Sequence, residues 1–334
     1  MVEYKGGGIL KDVDMRFNRR EKEQFLRLLE SGRLPHAFIV EGPEGVGKFT
    51  FSLFASTSIL CTGKNRPCGS CDACIKLRDG NHPDLYIISP EKESSQIKVE
   101  EVREIKKSVY MLPNEGDKKV YIIKDGQKMN VQAQNALLKL FEEPPESSVF
   151  FILTDNRESL LPTVVSRGHI ITLCPSKPED IMKYLKELYP KKTAEELENA
   201  VNMCEGSPGK ALTLLEKKYG VIRNDVLEYA SLLFSHSGFA CMSFFKSKRY
   251  DRSKAKDFML TLFLLFSDVM RAKKKSDRFV FLPPETAYYY AKLTTETKLA
   301  LISEEILRSF EAIDANSNLN LTFSVFAAKV SEIS

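Results

Sequence analysis

A glycine-rich loop set between an apolar run and a helical stretch constrains this chain more than any other feature. Ala37-Phe38-Ile39-Val40 leads into Gly42-Pro43-Glu44-Gly45-Val46-Gly47-Lys48, and a helical pattern follows from Phe49 to Leu60. Strand, loop and helix in that order are what a phosphate-cradling loop requires. Glycines at 42, 45 and 47 let backbone N–H groups converge on phosphate oxygens at a helix N-terminus, and Lys48 is placed to reach the β- and γ-phosphates. The position after the lysine normally gives Mg²⁺ a hydroxyl. Here it is Phe49, which has no oxygen to offer, and Thr50 lies about 100° further round the helix. The loop is either a phosphate binder without its metal ligand or a tight turn joining strand to helix.

Apolar runs at Leu85–Ile88, Lys119–Ile123, Ser148–Leu153 and His169–Leu173 predict four more strands. Helical spacing predicts helices at Arg20–Ser31, Val99–Tyr110 and Val131–Glu143, the last stopped by Pro144-Pro145. Strands alternating with helices imply a parallel sheet covered on both faces. Beyond residue 174 the strands stop. Three short helical segments follow (Asp180–Leu188, Glu195–Cys204, Gly209–Lys217), and then longer ones to the end. The expected organisation is an α/β domain over 1–174, a small helical domain over 175–218 and an all-helical domain over 219–334.

A hydrolase with such a loop also needs an acidic pair at the end of the Lys119–Ile123 strand, one carboxylate for Mg²⁺ and one for water. The strand runs instead into Lys124-Asp125-Gly126-Gln127. Lys124 stands in the metal slot, where its charge repels a cation, and Asp125 is left with no metal to work with. Thr154-Asp155-Asn156 sits where a polar γ-phosphate sensor belongs and reads here as a strand-end cap.

Charged residues make up 28% and hydrophobic ones 43%, ordinary for a soluble globular protein. The 49 basic and 45 acidic residues nearly cancel, so charge alone does not argue for a nucleic-acid binder. The run Phe258–Phe266, broken by Thr261, is far shorter than the ~20 residues a membrane span needs. No signal-peptide core follows the glycine-rich start at Gly6-Gly7-Gly8. Of seven cysteines, four stand close together as Cys61-x₆-Cys68-x₂-Cys71-x₂-Cys74. An odd total and tight spacing point to a reducing, cytoplasmic setting and to a metal site over disulfides. Four thiolates suit tetrahedral Zn²⁺, with a redox pair or an iron–sulfur cluster as alternatives, and no water-activating base lies nearby. Histidines 36, 82, 169 and 236 are scattered singly. His82, before Pro83-Asp84, reads as a packed or hydrogen-bonded residue.

Taken in order, Gly42–Lys48, His82-Pro83-Asp84, Lys119–Ile123, Asn135-Ala136-Leu137-Leu138-Lys139, Glu142-Glu143-Pro144-Pro145 and Ser166-Arg167 resemble the clamp-loader subunits of bacterial DNA polymerase III, of the AAA+ class. Gly206-Ser207-Pro208-Gly209-Lys210-Ala211-Leu212 is most similar to the delta prime type, because the ATPase types (gamma and tau) carry an arginine where Gly209 stands. The resemblance covers most of residues 31–215; in the last third it reaches only helical character and Asn316–Leu321. It implies a RecA-like AAA+ domain with an inserted zinc module, a helical lid and a helical collar that joins subunits in a ring. It also implies a subunit that does not itself hydrolyse ATP, with ATP or ADP in the degenerate loop left open. Its partners would be gamma/tau and delta subunits and, through the complex, the sliding clamp and primer-template DNA, with no membrane. Arg167 would act in trans as an arginine finger on a neighbour's γ-phosphate, although Ser166-Arg167-Gly168 has glycine where the family has cysteine. The competing readings are a surface arginine and, for the whole chain, a gamma/tau-type ATPase with an irregular site.

Overall fold

The structure is a computed structural model that describes residues 16–90, 96–215, 217–235, 238–248, 250–276 and 279–333. The glycine-rich start and His236 lie outside the described residues. Two units emerge: one comprises everything up to Asp180 together with Gly206–Lys210, the other Ile181–Glu205 with the chain from Ala211 onward.

In the first unit α1 (Arg19–Glu30) precedes β1 (Ala37–Glu41), which feeds through the glycine loop into α2 (Lys48–Leu60). There follow α3 (Asp72–Arg78), β2 (Leu85–Ile88), α4 (Val99–Val109), β3 (Lys119–Ile123), α5 (Val131–Glu142), β4 (Ser148–Thr154), α6 (Pro162–Val165) and β5 (His169–Thr172). Every strand pairing is parallel, and the order across the sheet is β2-β3-β4-β1-β5. The predicted α/β sheet is therefore present, its strands within a residue or so of their predicted ends.

Successive side chains of a strand point to opposite faces, and the sheet has a core on each. Phe38 and Val40 of β1, Val120 and Ile122 of β3, and Phe151 of β4 pack with Phe25 of α1 and Phe51 and Phe54 of α2. Ala37, Ile39, Tyr121, Ile123, Phe150 and Ile152 face the other way, against Val102 and Ile105 of α4 and Leu137 and Leu140 of α5. Burial on both faces is why β1, β3 and β4 read as unbroken apolar runs. Because β1 lies between β4 and β5, the carboxyl ends of β1, β3 and β4 bring the glycine loop, Lys124 and Asp155 to one edge of the sheet.

The second unit is helical: the remainder of α7 (Pro178–Leu188), α8 (Ala194–Met203), the remainder of α9 (Pro208–Leu215), then α10 (Lys217–Phe234), α11 (Gly238–Ser247), α12 (Arg252–Lys273), α13 (Pro284–Leu293), α14 (Glu296–Asp314) and α15 (Leu319–Ile333). Its core centres on α12, whose Phe258, Met259, Leu262, Leu265, Phe266 and Val269 are fully buried. The Phe258–Phe266 run thus belongs to a core helix, and no helix among the described residues is long and apolar enough to cross a membrane. Asp268, also fully buried, accepts the backbone N–H groups of Val280, Phe281 and Leu282 and so pins the connection into α13.

Candidate nucleotide site and cysteine cluster

The glycine loop folds as its sequence requires. Gly47 has φ +106°, a conformation that costs L side chains and not glycine. Gly45 is needed for another reason: the Gly209 N–H donates to its carbonyl at 2.8 Å, and a Cβ at 45 would stand 2.7 Å from the Lys210 nitrogen. The reverse also holds, since a Cβ at Gly209 would come within 2.9 Å of the Gly45 backbone. The start of α9 therefore lies directly on the loop, and its backbone approach leaves no room at 209 for a side chain.

Lys48 Nζ donates to the carbonyl oxygens of Gly42 (2.6 Å) and Pro43 (3.0 Å) and to Asp155 Oδ1 (2.5 Å). Asp155 in turn accepts from Gln127 Nε2 at 3.1 Å. The reading of 154–156 as a cap holds for its neighbours: Thr154 Oγ1 donates to the Asn156 carbonyl, and Asn156 Oδ1 accepts the Glu158 N–H. It misses Asp155, which reaches across to the loop lysine.

Phe49 and Lys124, each standing where a metal ligand is expected, are in contact with one another. Lys124 Nζ lies 3.6 Å from the centre of the Phe49 ring. A cation over an aromatic face is attracted by the ring's quadrupole, so the two losses compensate each other. Burial lowers the Lys124 pKa, and the Asp125 charge opposes that shift. The Asp125 carboxylate pairs with Lys128 at 3.2 Å.

Arg167 follows α6 and is partly exposed. It donates to the Thr163 carbonyl at 3.0 Å and to Glu142 Oε1 at 2.9 Å. Gly168 is closely packed: a Cβ there would stand 2.7 Å from Cγ1 of Ile39, a fully buried residue in the sheet.

The four clustered cysteines converge as their spacing predicts. Their sulfurs all lie within 4.8 Å of one another, with Cys61–Cys71 at 3.8 Å and Cys68–Cys74 at 4.0 Å. Tetrahedral thiolates at 2.3 Å from zinc stand about 3.8 Å apart, so the sulfurs already have the spacing of a ligand set. Gly69, at φ +71°, turns the chain between two of them. Backbone N–H groups of Gly63 and Cys68 point at the Cys61 sulfur, and that of Cys71 at the Cys68 sulfur. Such donors stabilise thiolates. Burial opposes ionisation of Cys71, yet donors from Cys74 and Thr62 bring its pKa down to about 5. Burial drives Cys74 the other way, up to about 12. The cluster can hold a metal ion with all four positions closed by protein.

His82 is hydrogen-bonded: its Nδ1 accepts the Asp84 N–H at 3.1 Å. Asp84 itself is fully buried and holds the loop after α4, accepting from Asn114 N, Asn114 Nδ2 and Glu115 N.

The parallel sheet, with the glycine loop after β1 between β4 and β5, is the arrangement expected of a RecA-like domain. Residues 17–177 match the family described as DNA polymerase III, delta subunit. Subunit delta' of Pseudomonas aeruginosa is 34% identical over 179 residues, covering 52% of this chain and 53% of that protein. Subunit delta' of Bacillus subtilis is 34% identical over 160 residues, 48% of each. Subunit gamma of Buchnera aphidicola is 32% identical over 201 residues, 58% of this chain and 54% of that one. The chain thus spans about half the length of the curated relatives it matches. Over that matched part it is similar to DNA polymerase III subunits named delta' and gamma alike.

Proposed function

We propose that this chain is the non-hydrolysing delta prime member of a bacterial clamp loader. The observation that carries this reading is Lys124 seated on Phe49: the cation that ATP hydrolysis requires is replaced by one the protein carries itself. Gly209 packed against Gly45 supports it, because the resemblance puts an arginine at that position in the ATPase types and the fold leaves no room there for a side chain. The relatives named gamma favour a second reading, an ATPase subunit with an irregular site. The purified chain separates the two: turnover of ATP by it alone would favour the ATPase.

In this reading residues 175–218 form the lid and 219–334 the collar that joins gamma/tau and delta subunits in a cytoplasmic ring. The complex loads the sliding clamp onto primer-template DNA. Gly42, Gly45, Gly47 and Lys48 form a degenerate nucleotide site for ATP or ADP. Cys61, Cys68, Cys71 and Cys74 bind one structural Zn²⁺, which supplies a cross-link and no chemistry.

Arg167 acts in trans on the ATP of a neighbouring subunit. Its tie to Glu142 is exposed, and exposed ion pairs are worth little. Exchange of one carboxylate for a neighbour's phosphate is therefore cheap, and a finger of this kind is worth on the order of 10³–10⁵ in rate. Arg167→Ala in the reconstituted loader tests it. Unchanged DNA-stimulated ATPase activity would remove the finger role.

A further inference from the structure

An ammonium group has three N–H donors and no acceptor. Lys48 has used all three, on the carbonyls of Gly42 and Pro43 and on the Asp155 carboxylate. The first two partners are backbone of the loop itself. The third is a side chain, and it is anionic. In a phosphate loop the lysine's outward donor belongs to the terminal phosphates of the nucleotide. The end of β4, where Asp155 stands, is the place from which a γ-phosphate is sensed, and the Gln127 amide holds the second carboxylate oxygen in that place.

We propose that Asp155 is an intramolecular ligand of Lys48 standing in for the terminal phosphate of a nucleoside triphosphate, so that the loop takes a nucleoside diphosphate in preference and needs no divalent cation to do so. The inference rests on the degenerate nucleotide site proposed above and goes beyond it. The Gly42 and Val46 N–H groups donate to the Thr154 and Pro43 carbonyls, so an α- and a β-phosphate would be cradled by loop N–H groups such as those of Gly45, Gly47 and Lys48, which the carboxylate does not displace. A γ-phosphate has to take the carboxylate's position, or share it with a like charge a few ångström away. At that separation two like charges repel strongly wherever water is partly excluded. The Lys48 side chain is only 13% exposed, so the repulsion acts in such a setting. Asp155 is 47% exposed, so it can swing out, but the chain then loses its own ion pair. The cation is supplied in the same way: Lys124, on the Phe49 ring, stands in the slot where Mg²⁺ would accompany a triphosphate. Internal carboxylate and internal ammonium together reproduce the signs of charge that a γ-phosphate and its metal would bring.

Calorimetric titration of the full chain with ADP and with ATP, each in EDTA and in excess Mg²⁺, tests this. The expected result is ADP binding at least about tenfold tighter than ATP, with neither affinity moved more than about twofold by Mg²⁺. Asp155→Asn keeps the shape and removes the charge. It should tighten ATP at least about tenfold while ADP changes less than about threefold. Asp155→Ala, checked for an unchanged melting profile, should do the same. Equal wild-type affinities for the two nucleotides, an ADP-to-ATP ratio unmoved by both variants, or no binding of either nucleotide to any of the proteins would each overturn the proposal. None of those outcomes touches the non-hydrolysing reading, which fails instead if the wild-type chain turns over ATP.

Discussion

Lys124 sits with its ammonium 3.6 Å from the centre of the Phe49 ring, although 75 positions separate the two in sequence (124 − 49). One stands at the start of α2 and the other just past β3, and in an active nucleotidase both positions would address the same Mg²⁺. Here they form a cation–π contact with each other.

The contact is measurable. In a double-mutant cycle of Phe49→Ala and Lys124→Ala, chemical denaturation should give a coupling of about 1 kcal/mol. Coupling indistinguishable from zero would mean that the two residues are neighbours only.

Metal analysis of the purified chain should return one zinc per molecule, and Cys74→Ser should lose it. Chelation should lower the melting temperature, because a structural site contributes its binding free energy to folding. A folded wild-type protein with four titratable free thiols in this cluster would contradict the assignment.

Restoring the family residue with Gly168→Cys should destabilise the chain by about 1–3 kcal/mol, since the added Cβ overpacks against Ile39 in the middle of the sheet. A stability equal to wild type in urea denaturation would show that the loop yields freely and that glycine was not needed there.

Asp84→Asn should cost about 2–4 kcal/mol, because a buried carboxylate that accepts three hydrogen bonds is replaced by a group with only one acceptor. Amide exchange read residue by residue should quicken at Asn114 and Glu115 first. Uniform quickening over the whole unit would count against a local anchor.

Burial holds the His82 pKa below its ordinary value of 6.5, against the pull of Asp84 and Glu115. A histidine favoured neutral in the fold contributes stability above the unfolded pKa and loses it as pH falls through the folded one. Denaturation midpoints should therefore drop between pH 7.5 and pH 5.5, and drop less in His82→Asn, whose amide oxygen can still accept the Asp84 N–H. An identical pH dependence in that variant would place the titrating group elsewhere.

The elements that could be read in advance share one property, a pattern carried by neighbouring residues. β1, β3 and β4 show as apolar runs because both their faces are buried. The cysteine cluster shows because its ligands lie within fourteen positions (61 to 74). The elements that escaped lack such a pattern. α3 is a seven-residue helix inside the cysteine module. α11 begins at a glycine, and its Cys241, Phe244 and Phe245 are helical because a core built from α10, α12 and α15 receives them. For Gly168 the sequence suggests backbone freedom, and the crowding by Ile39 shows only in the fold.

By itself the sequence determined which groups this protein possesses: a phosphate loop, four thiols at ligand spacing, an arginine before β5, and a phenylalanine and a lysine where a hydroxyl and a carboxylate would serve a metal. Those are matters of composition and local order, which no packing alters. Only the tertiary structure decided how the groups are spent. Asp155 on Lys48, Lys124 on Phe49 and Gly209 on Gly45 are partnerships across 107, 75 and 164 positions (155 − 48, 124 − 49, 209 − 45). The first two exist because a parallel sheet gathers the ends of distant strands at one edge, and the third because the start of α9 lies on the loop.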